Sequence, residues 1–322
     1  MNRLLRAAAA AVILLILIPL QAQAEQLLIP VGRVIGLTLQ SGSVTVAAFD
    51  DALGASARRA GLRIGDEIMK IDDREVTSAQ DVRLALESSG PYVSLTLRRG
   101  GKIRTVNMQT ASQDGSPRLG VYLRQGISGI GTVTWYDPET GLFGTLGHGV
   151  SDGKGNLLNM TSGQAYNAEI VSVEKGKCGE PGQLKGSADP ESICGTLLRN
   201  TPQGVFGKSR QGWKGEVLPV AQYEDIQVGE AVILSTVDNG SPQEYSVEIL
   251  KIYPEERSDC RNLLIRITDK QLLAATGGIV QGMSGSPIIQ NGKLVGAVTH
   301  VLVNSPDTGY GIFIENMLDA AG

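Results

Sequence analysis

A mainly β chain in two folded units is what this sequence predicts, and three observations carry that prediction. Short runs of alternating apolar and polar residues recur along most of the chain, broken by turn residues. Glycine is abundant, at 41 residues, while aromatics make up 4%, a balance that suits many tight turns. No regular alternation of strand with long helix appears, which argues against a doubly wound α/β sheet. With 322 residues, 42% of them hydrophobic, the chain can build two cores.

The first 24 residues read as a targeting segment. Arg3 and Arg6 form a short positive region, Ala7 to Leu20 is an unbroken apolar run of 14 residues, and Ala22-Gln23-Ala24 offers small residues for cleavage. A membrane span needs roughly 20 apolar residues, so export with cleavage after Ala24 is expected, with an uncleaved anchor as the alternative. Export permits disulfides, and of the three cysteines Cys178 and Cys194 bracket one glycine-rich segment and are the pair to join if any pair forms. The net charge of −4 and the lack of a basic block exclude nucleic acid as a partner.

The first unit is expected over residues 25–110. Val44 to Phe49 alternates as a strand, Ala52 to Ala60 permits a helix, and Gly61 to Asp66 is a turn into a strand at Glu67 to Ile71. Ser78 to Ser88 has a helical pattern with an acidic first turn. Tyr92 to Arg98 and Ile103 to Met108 form a hairpin about Gly100-Gly101. That order, with "AGLRIGDEIMKIDDREV" at its centre, resembles a PDZ domain. Such a domain adds an extended peptide to a sheet edge and captures its carboxylate with backbone N–H groups. Ile35 to Leu39 lies where the resemblance puts the carboxylate loop, so Gly36, Leu37, Thr38 and Leu39 are the expected peptide-binding residues. The peptide tail could come from this chain or from another copy.

Residues 111–117 are polar and turn-rich and read as a linker. From 118 to 322, strands and turns alternate: Gly129 to Trp135, Leu142 to Leu146, the hairpin arms Ala231 to Val237 and Tyr245 to Ile252 about Asp238-Asn239-Gly240, Leu263 to Thr268, and Leu294 to Val301. This second unit is expected to be a chymotrypsin-like double β-barrel.

Its chemistry is carried by few residues. There are two histidines, His148 in "FGTLGHGVSD" and His300 in "GAVTHVLVN". His148 lies between two glycines, which lets another chain approach closely, and is the candidate general base. His300 sits in an alternating strand. It reads as a packing residue or as a wall of the specificity pocket touching the substrate's P1 side chain. Two histidines, and no cysteine pair at ligand spacing, leave no zinc site, and no metal or cofactor is expected. Ser284, in Gly282-Met283-Ser284-Gly285-Ser286-Pro287, stands on a glycine-flanked turn and is the candidate nucleophile. The N–H groups of Gly282 and Ser284 are the expected oxyanion hole. Ser286, held by the following proline, suits a supporting role. The order His, acid, Ser places Asp269, 15 residues before Ser284, as the acid that orients the base, with Asp152 and Asp225 as alternatives.

The stretches "GTLGHGVSD", "GIVQGMSGSPIIQNGKLVGAVTHVLVN" and "GYGIFIENML" resemble the stage IV sporulation protein B peptidase family. The resemblance carries its catalytic histidine to His148, its nucleophile to Ser284 and its acid to Asp269. It further implies export into the space between mother cell and forespore, and cleavage of a membrane-bound regulator of an intramembrane metalloprotease that activates a sigma factor. Self-cleavage controlled by the PDZ domain is also implied. Two other readings stand beside a narrow serine endopeptidase: an exported PDZ scaffold with an inactive peptidase half, and a general quality-control protease. The PDZ unit stands before the protease, which argues against the last.

Overall fold

The computed structural model describes residues 26–153, 155–254, 257 and 259–322. The expected targeting segment lies outside the described residues. Two closed barrels hold the second unit together. The first is a ring of six strands: β2 (Val34–Phe49), β9 (Val121–Tyr136), β10 (Leu142–Thr145), β13 (Gly204–Ser209), β12 (Gln183–Thr201) and β11 (Met160–Glu174), the last pairing back to β2. The second barrel runs β15 (Gly229–Ser235), β16 (Gln243–Ile252), β17 (Leu263–Ile267), β20 (Ser305–Phe313), β19 (Lys293–Leu302) and β18 (Pro287–Gln290). Closure removes exposed sheet edges. Inward-facing side chains of each ring make its core: Ile35, Leu37, Val133, Phe143 and Val205 in the first, Ile233, Val247, Ile265, Ile288 and Val298 in the second.

The PDZ-like unit has its own core of Val44, Ile68, Val82, Leu86, Leu95 and Leu97. It contains α1 (Ala55–Ala60), β3 (Glu67–Ile71), β4 (Arg74–Glu75), α2 (Ala79–Glu87), and the hairpin β5 (Tyr92–Arg99) to β6 (Lys102–Gln109). The expected helix at Ser78 is capped in both directions: Ser78 Oγ accepts from the Asp81 amide at 3.1 Å, and Asp81 Oδ2 accepts from the Ser78 amide at 2.8 Å. Buried Asp66, at the turn before β3, accepts from Arg99 through both carboxylate oxygens at 2.6 Å.

The boundaries between the units differ from the sequence expectation in an instructive way. β2 is one 16-residue strand, and so is β9. Residues 34–40 of β2 pair with 126–132 of β9 inside the first barrel, while Thr45 to Phe49 pair with Arg124 to Val121 inside the PDZ-like unit. A two-stranded ribbon thus leaves the barrel, carries the PDZ-like unit, and returns. The unit is inserted into the barrel rather than strung before it. Residues 111–117 are no loose linker: β7 (Ala111–Gln113) and β8 (Ser116–Arg118) form a hairpin, and Leu119 just after it is buried in the PDZ-like core. β1 (Leu27–Pro30) pairs with β9 and with β14 (Leu218–Pro219), so residues 27–30 also fold onto the peptidase unit. A register-spanning strand cannot be told by alternation from two separate strands, which is why the sequence placed a boundary there.

The three cysteines are free. Cys178 is exposed and its Sγ donates to the Asn304 carbonyl at 3.4 Å, whereas Cys194 is buried on β12 in the first barrel core. Cys178 and Cys194, the pair to join if any pair formed, are therefore not joined. Burial pushes the Cys194 thiol up to about 11.

Candidate active site

His148 and Ser284 reach the same place from the two barrels. β10 ends at Thr145, and Leu146 and Gly147 then both take left-handed backbone, at φ 71° and 67°. For leucine that conformation is costly, and it is held here by tertiary contacts. The Leu146 amide donates to the Thr132 carbonyl at 3.3 Å. A Cβ on Gly147 would lie 2.9 Å from Thr299 Cγ2, so glycine lets the loop close onto β19. Behind His148, Asn200 at the β12 end fixes the chain: its Oδ1 accepts from the Val150 amide, and its Nδ2 donates to the Val150 and Leu158 carbonyls, each at 2.9 Å.

The Ser284 turn is sewn to both barrels. Thr132 of β9 is the clamp, buried, with its amide donating to the Ser284 carbonyl at 3.0 Å and its Oγ1 to the Gly282 carbonyl at 2.8 Å. The Gly285 amide donates to Val298 of β19 at 2.8 Å, and Val298 donates back to the Ser286 carbonyl at 2.9 Å. Gly285 has φ 96°, and any Cβ there would overlap the Thr132 carbonyl. Buried Ser286 donates to Ser235 Oγ at 3.0 Å and ties the turn to β15. The amides of Gln281, Met283, Gly285 and Ser286 are all given to backbone carbonyls. Those of Gly282 and Ser284 have no backbone acceptor among the described residues.

Each of the two candidate side chains meets a backbone carbonyl. Ser284 Oγ donates to the Thr299 carbonyl at 2.7 Å. His148 Nδ1 meets the Gly149 carbonyl at 3.0 Å, which assigns the proton to Nδ1 and leaves Nε2 with its lone pair. Burial holds the His148 pKa below the ordinary histidine value, with the Gly149 carbonyl opposing. His300, the residue after Thr299, lies with its ring centre 5.0 Å from that of His148, tilted by 42°. Its ring packs against the ring of His148. Its Nδ1 is buried without a hydrogen-bond partner. Burial, then the neighbouring His148 and Arg261, push its pKa down to about 4.

The structure does not bring Asp269 to His148. Asp269 caps α3 (Lys270–Thr276): its Oδ1 accepts from the Leu272 amide at 2.9 Å. No carboxylate among the described residues bears on His148's titration, which responds to burial and to Gly149. The other two candidate acids are spent locally. Asp152 accepts from the Asn156 amide at 3.0 Å within its own loop, and Asp225 holds Lys293 Nζ at 2.9 Å.

The expected peptide-binding segment is also placed elsewhere. Gly36, Leu37, Thr38 and Leu39 pair with β11 on one side and β9 on the other, so the segment has no free edge for a peptide. Leu37 and Leu39 point into the first barrel core. A groove of about 250 Å³ lies instead between α2 and the stretch Arg118 to Leu123. From Val121 to Arg124, β9 pairs only with β2 and its other edge is unpaired among the described residues. Gly120 before it has φ 70° and sits tight against the Leu53 carbonyl, where no side chain fits. The signal was in the sequence: Arg118-Leu119-Gly120-Val121 is a glycine turn opening an alternating strand, as Val34-Ile35-Gly36-Leu37 also is. Thr132 and Asn200 were missed too, since a buried hydroxyl or amide carries no pattern of its own.

Comparison with known proteins follows the same division. A PDZ domain model matches residues 34–110, and the SpoIVB peptidase S55 model matches residues 115–318, more than half of the chain. No curated protein matches. Among solved structures, the PDZ domain of an SdrC-like protein from Listeria monocytogenes is 23% identical, over 26% of this chain and 87% of that one, at a TM-score of 0.23. The Rv3671c protease from M. tuberculosis, in its active form, is 16% identical over 62% of this chain and 75% of that one, with a TM-score of 0.34. Human heparin binding protein is 13% identical over 60% and 86%, with a TM-score of 0.30. The chain belongs to the SpoIVB peptidase S55 family and is a serine peptidase with a PDZ domain.

Proposed function

We propose that this peptidase acts through Ser284 as nucleophile and His148 as general base, with the amides of Gly282 and Ser284 as the oxyanion hole. The observation that supports it is the convergence on one β19 segment: Ser284 Oγ on the Thr299 carbonyl and the His148 ring beside His300. When substrate binds, Ser284 Oγ turns from Thr299 to His148. Its oxygen bonds to the scissile carbonyl carbon as its proton passes to His148 Nε2. The two unspent amides face the negative oxygen that forms. His148 then gives the proton to the departing amine, and water repeats the sequence to release the acyl group.

We read the enzyme as a narrow endopeptidase. We read its role through the family resemblance: export to the space between mother cell and forespore, cleavage of a membrane-bound regulator of an intramembrane metalloprotease, and self-cleavage. The groove between α2 and β9 is the site we assign to a peptide tail, with the Leu119, Gly120 and Val121 region capturing its carboxylate. A fluorophosphonate probe tests the catalytic reading. It should label the wild-type protein at Ser284, not label Ser284→Ala, and label His148→Ala at least about a thousandfold more slowly. An unlabelled wild type that still binds peptides would leave the scaffold reading.

A further inference from the structure

The segment between β16 and β17 brings a half-buried arginine, Arg261, up to the site. Its backbone is fixed on both sides. Cys260 before it is buried and left-handed, at φ 53°, and its amide donates to the Arg257 carbonyl at 3.1 Å. Asn262 after it is fully buried, and its amide donates to the Gly311 carbonyl of β20 at 2.9 Å. The Arg261 guanidinium lies over the Tyr310 ring, 5.1 Å from its centre. Tyr310 pairs with His300 of β19. The Tyr310 carbonyl accepts from Thr299 Oγ1 at 3.1 Å, and the Thr299 carbonyl accepts from Ser284 Oγ at 2.7 Å. The cation therefore stands one strand away from the β19 segment on which Ser284 and His148 converge. Its charge reaches that segment, where it helps to lower the pKa of His300.

Arg261 is also unspent. A guanidinium carries five N–H donors and accepts nothing. The Nε of Arg261 is buried without a hydrogen-bond partner. The carboxylate that feels its charge, Asp259, is committed elsewhere: its two oxygens accept from Arg257 at 2.8 and 2.6 Å, and Oδ1 also takes the Arg261 backbone amide at 3.3 Å. An unpaired buried donor costs free energy, and the planar fork of an arginine matches a carboxylate with two parallel hydrogen bonds. We propose that Arg261 selects the substrate, by binding the side-chain carboxylate of an Asp or Glu close to the scissile bond. The Tyr310 ring holds one face of the guanidinium and leaves its edge donors to the substrate. A glutamine in place of that acid offers one acceptor and no charge, and a basic residue is repelled.

This inference rests on the reading of Ser284 and His148 as nucleophile and base, and the test separates the two. The full chain, as wild type, Arg261→Gln, Arg261→Lys and Arg261→Glu, would digest a mixed-sequence peptide library made with free and with amidated C-termini. Cut sites would be read by mass spectrometry, with fluorophosphonate labelling of wild type and melting of every variant in parallel. Wild type should enrich Asp and Glu at one position near the cut, in both forms of the library. A peptide of the preferred sequence should be cut on the order of 10 to 100-fold faster than its glutamine counterpart. That ratio should disappear in Arg261→Gln and survive in part in Arg261→Lys, and in Arg261→Glu the enrichment should pass to Lys and Arg. A merely structural arginine would change the melting and the overall rate and leave the ratio as it is. Should Arg261→Glu fail to fold, the glutamine and lysine variants decide. A wild type labelled on Ser284 that shows no acidic preference, or cuts none of the peptides, overturns the role of Arg261 alone, as does a preference kept in Arg261→Gln. A preference confined to free C-termini assigns the carboxylate to the peptide end and overturns side-chain selection. No label on Ser284 in wild type overturns both readings.

Discussion

His148 and His300 are two partly buried imidazoles packed side by side, and their shifts set how the molecule responds to acid. Both pKa values lie below the ordinary histidine value, and that of His300 lies at about 4. The unfolded chain, with ordinary histidines, therefore binds more protons than the folded one between these values. Stability must then rise with pH across that window and fall as pH is lowered through it. Carboxylates with lowered values, such as Asp259 held at about 2 by Arg257, act only near and below 3.8. We expect the melting temperature to be flat above pH 7 and to decline from about 6.5 towards 4. Replacing His300 by leucine should flatten much of that decline. Thermal melts at constant ionic strength would check this, and an unchanged slope would contradict it. Activity should persist somewhat below the ordinary histidine range for the same reason, because the base stays neutral there.

At the scale of elements, α3 gives Asp269 a structural use. Asp269 ends β17 in sequence and stands in the right order between His148 and Ser284, so pattern and resemblance both assigned it to the base. A strand-end aspartate is also what a helix start requires, and here the cap takes the carboxylate. The two readings make opposite predictions. Asp269→Asn keeps a good cap and removes the charge, so it should leave labelling at Ser284 near wild type. Asp269→Ala should cost about 1 kcal/mol of stability, again with little change in labelling rate above its melting limit. A collapse of labelling in Asp269→Asn would return the acid to the catalytic group. The legible parts of this site were its local ones. Glycine flanks at His148 and Ser284 are visible in the chain, as are the capping serine of α2 and the β5–β6 hairpin turn. The missed parts were long-range. Thr132 meets Gly282 across 150 residues, and His300 meets His148 across a barrel interface. Alternation says that a residue faces inward, not which neighbour it will meet.

The whole molecule is arranged around β9. One end of this strand forms the free edge of the α2 groove and the other carries Thr132, which holds the Ser284 turn. The chain order suggested a PDZ domain followed by a protease, whereas the ladder shows the domain carried on two barrel strands. That architecture predicts where a peptide ending in a free carboxylate binds. In hydrogen exchange, such a peptide should protect amides from Leu119 to Leu123 and leave 36–39, already inside the barrel, unchanged. Protection confined to 36–39 would contradict the assignment. Above this stands the claim that the Gly282–Pro287 turn houses a working serine nucleophile served by His148. The most direct measurement is to label the full chain with a fluorophosphonate and locate the adduct by peptide mass. The account predicts a single adduct on Ser284 that disappears in Ser284→Ala and nearly so in His148→Ala. An adduct on another serine, or labelling that survives in Ser284→Ala, would contradict it.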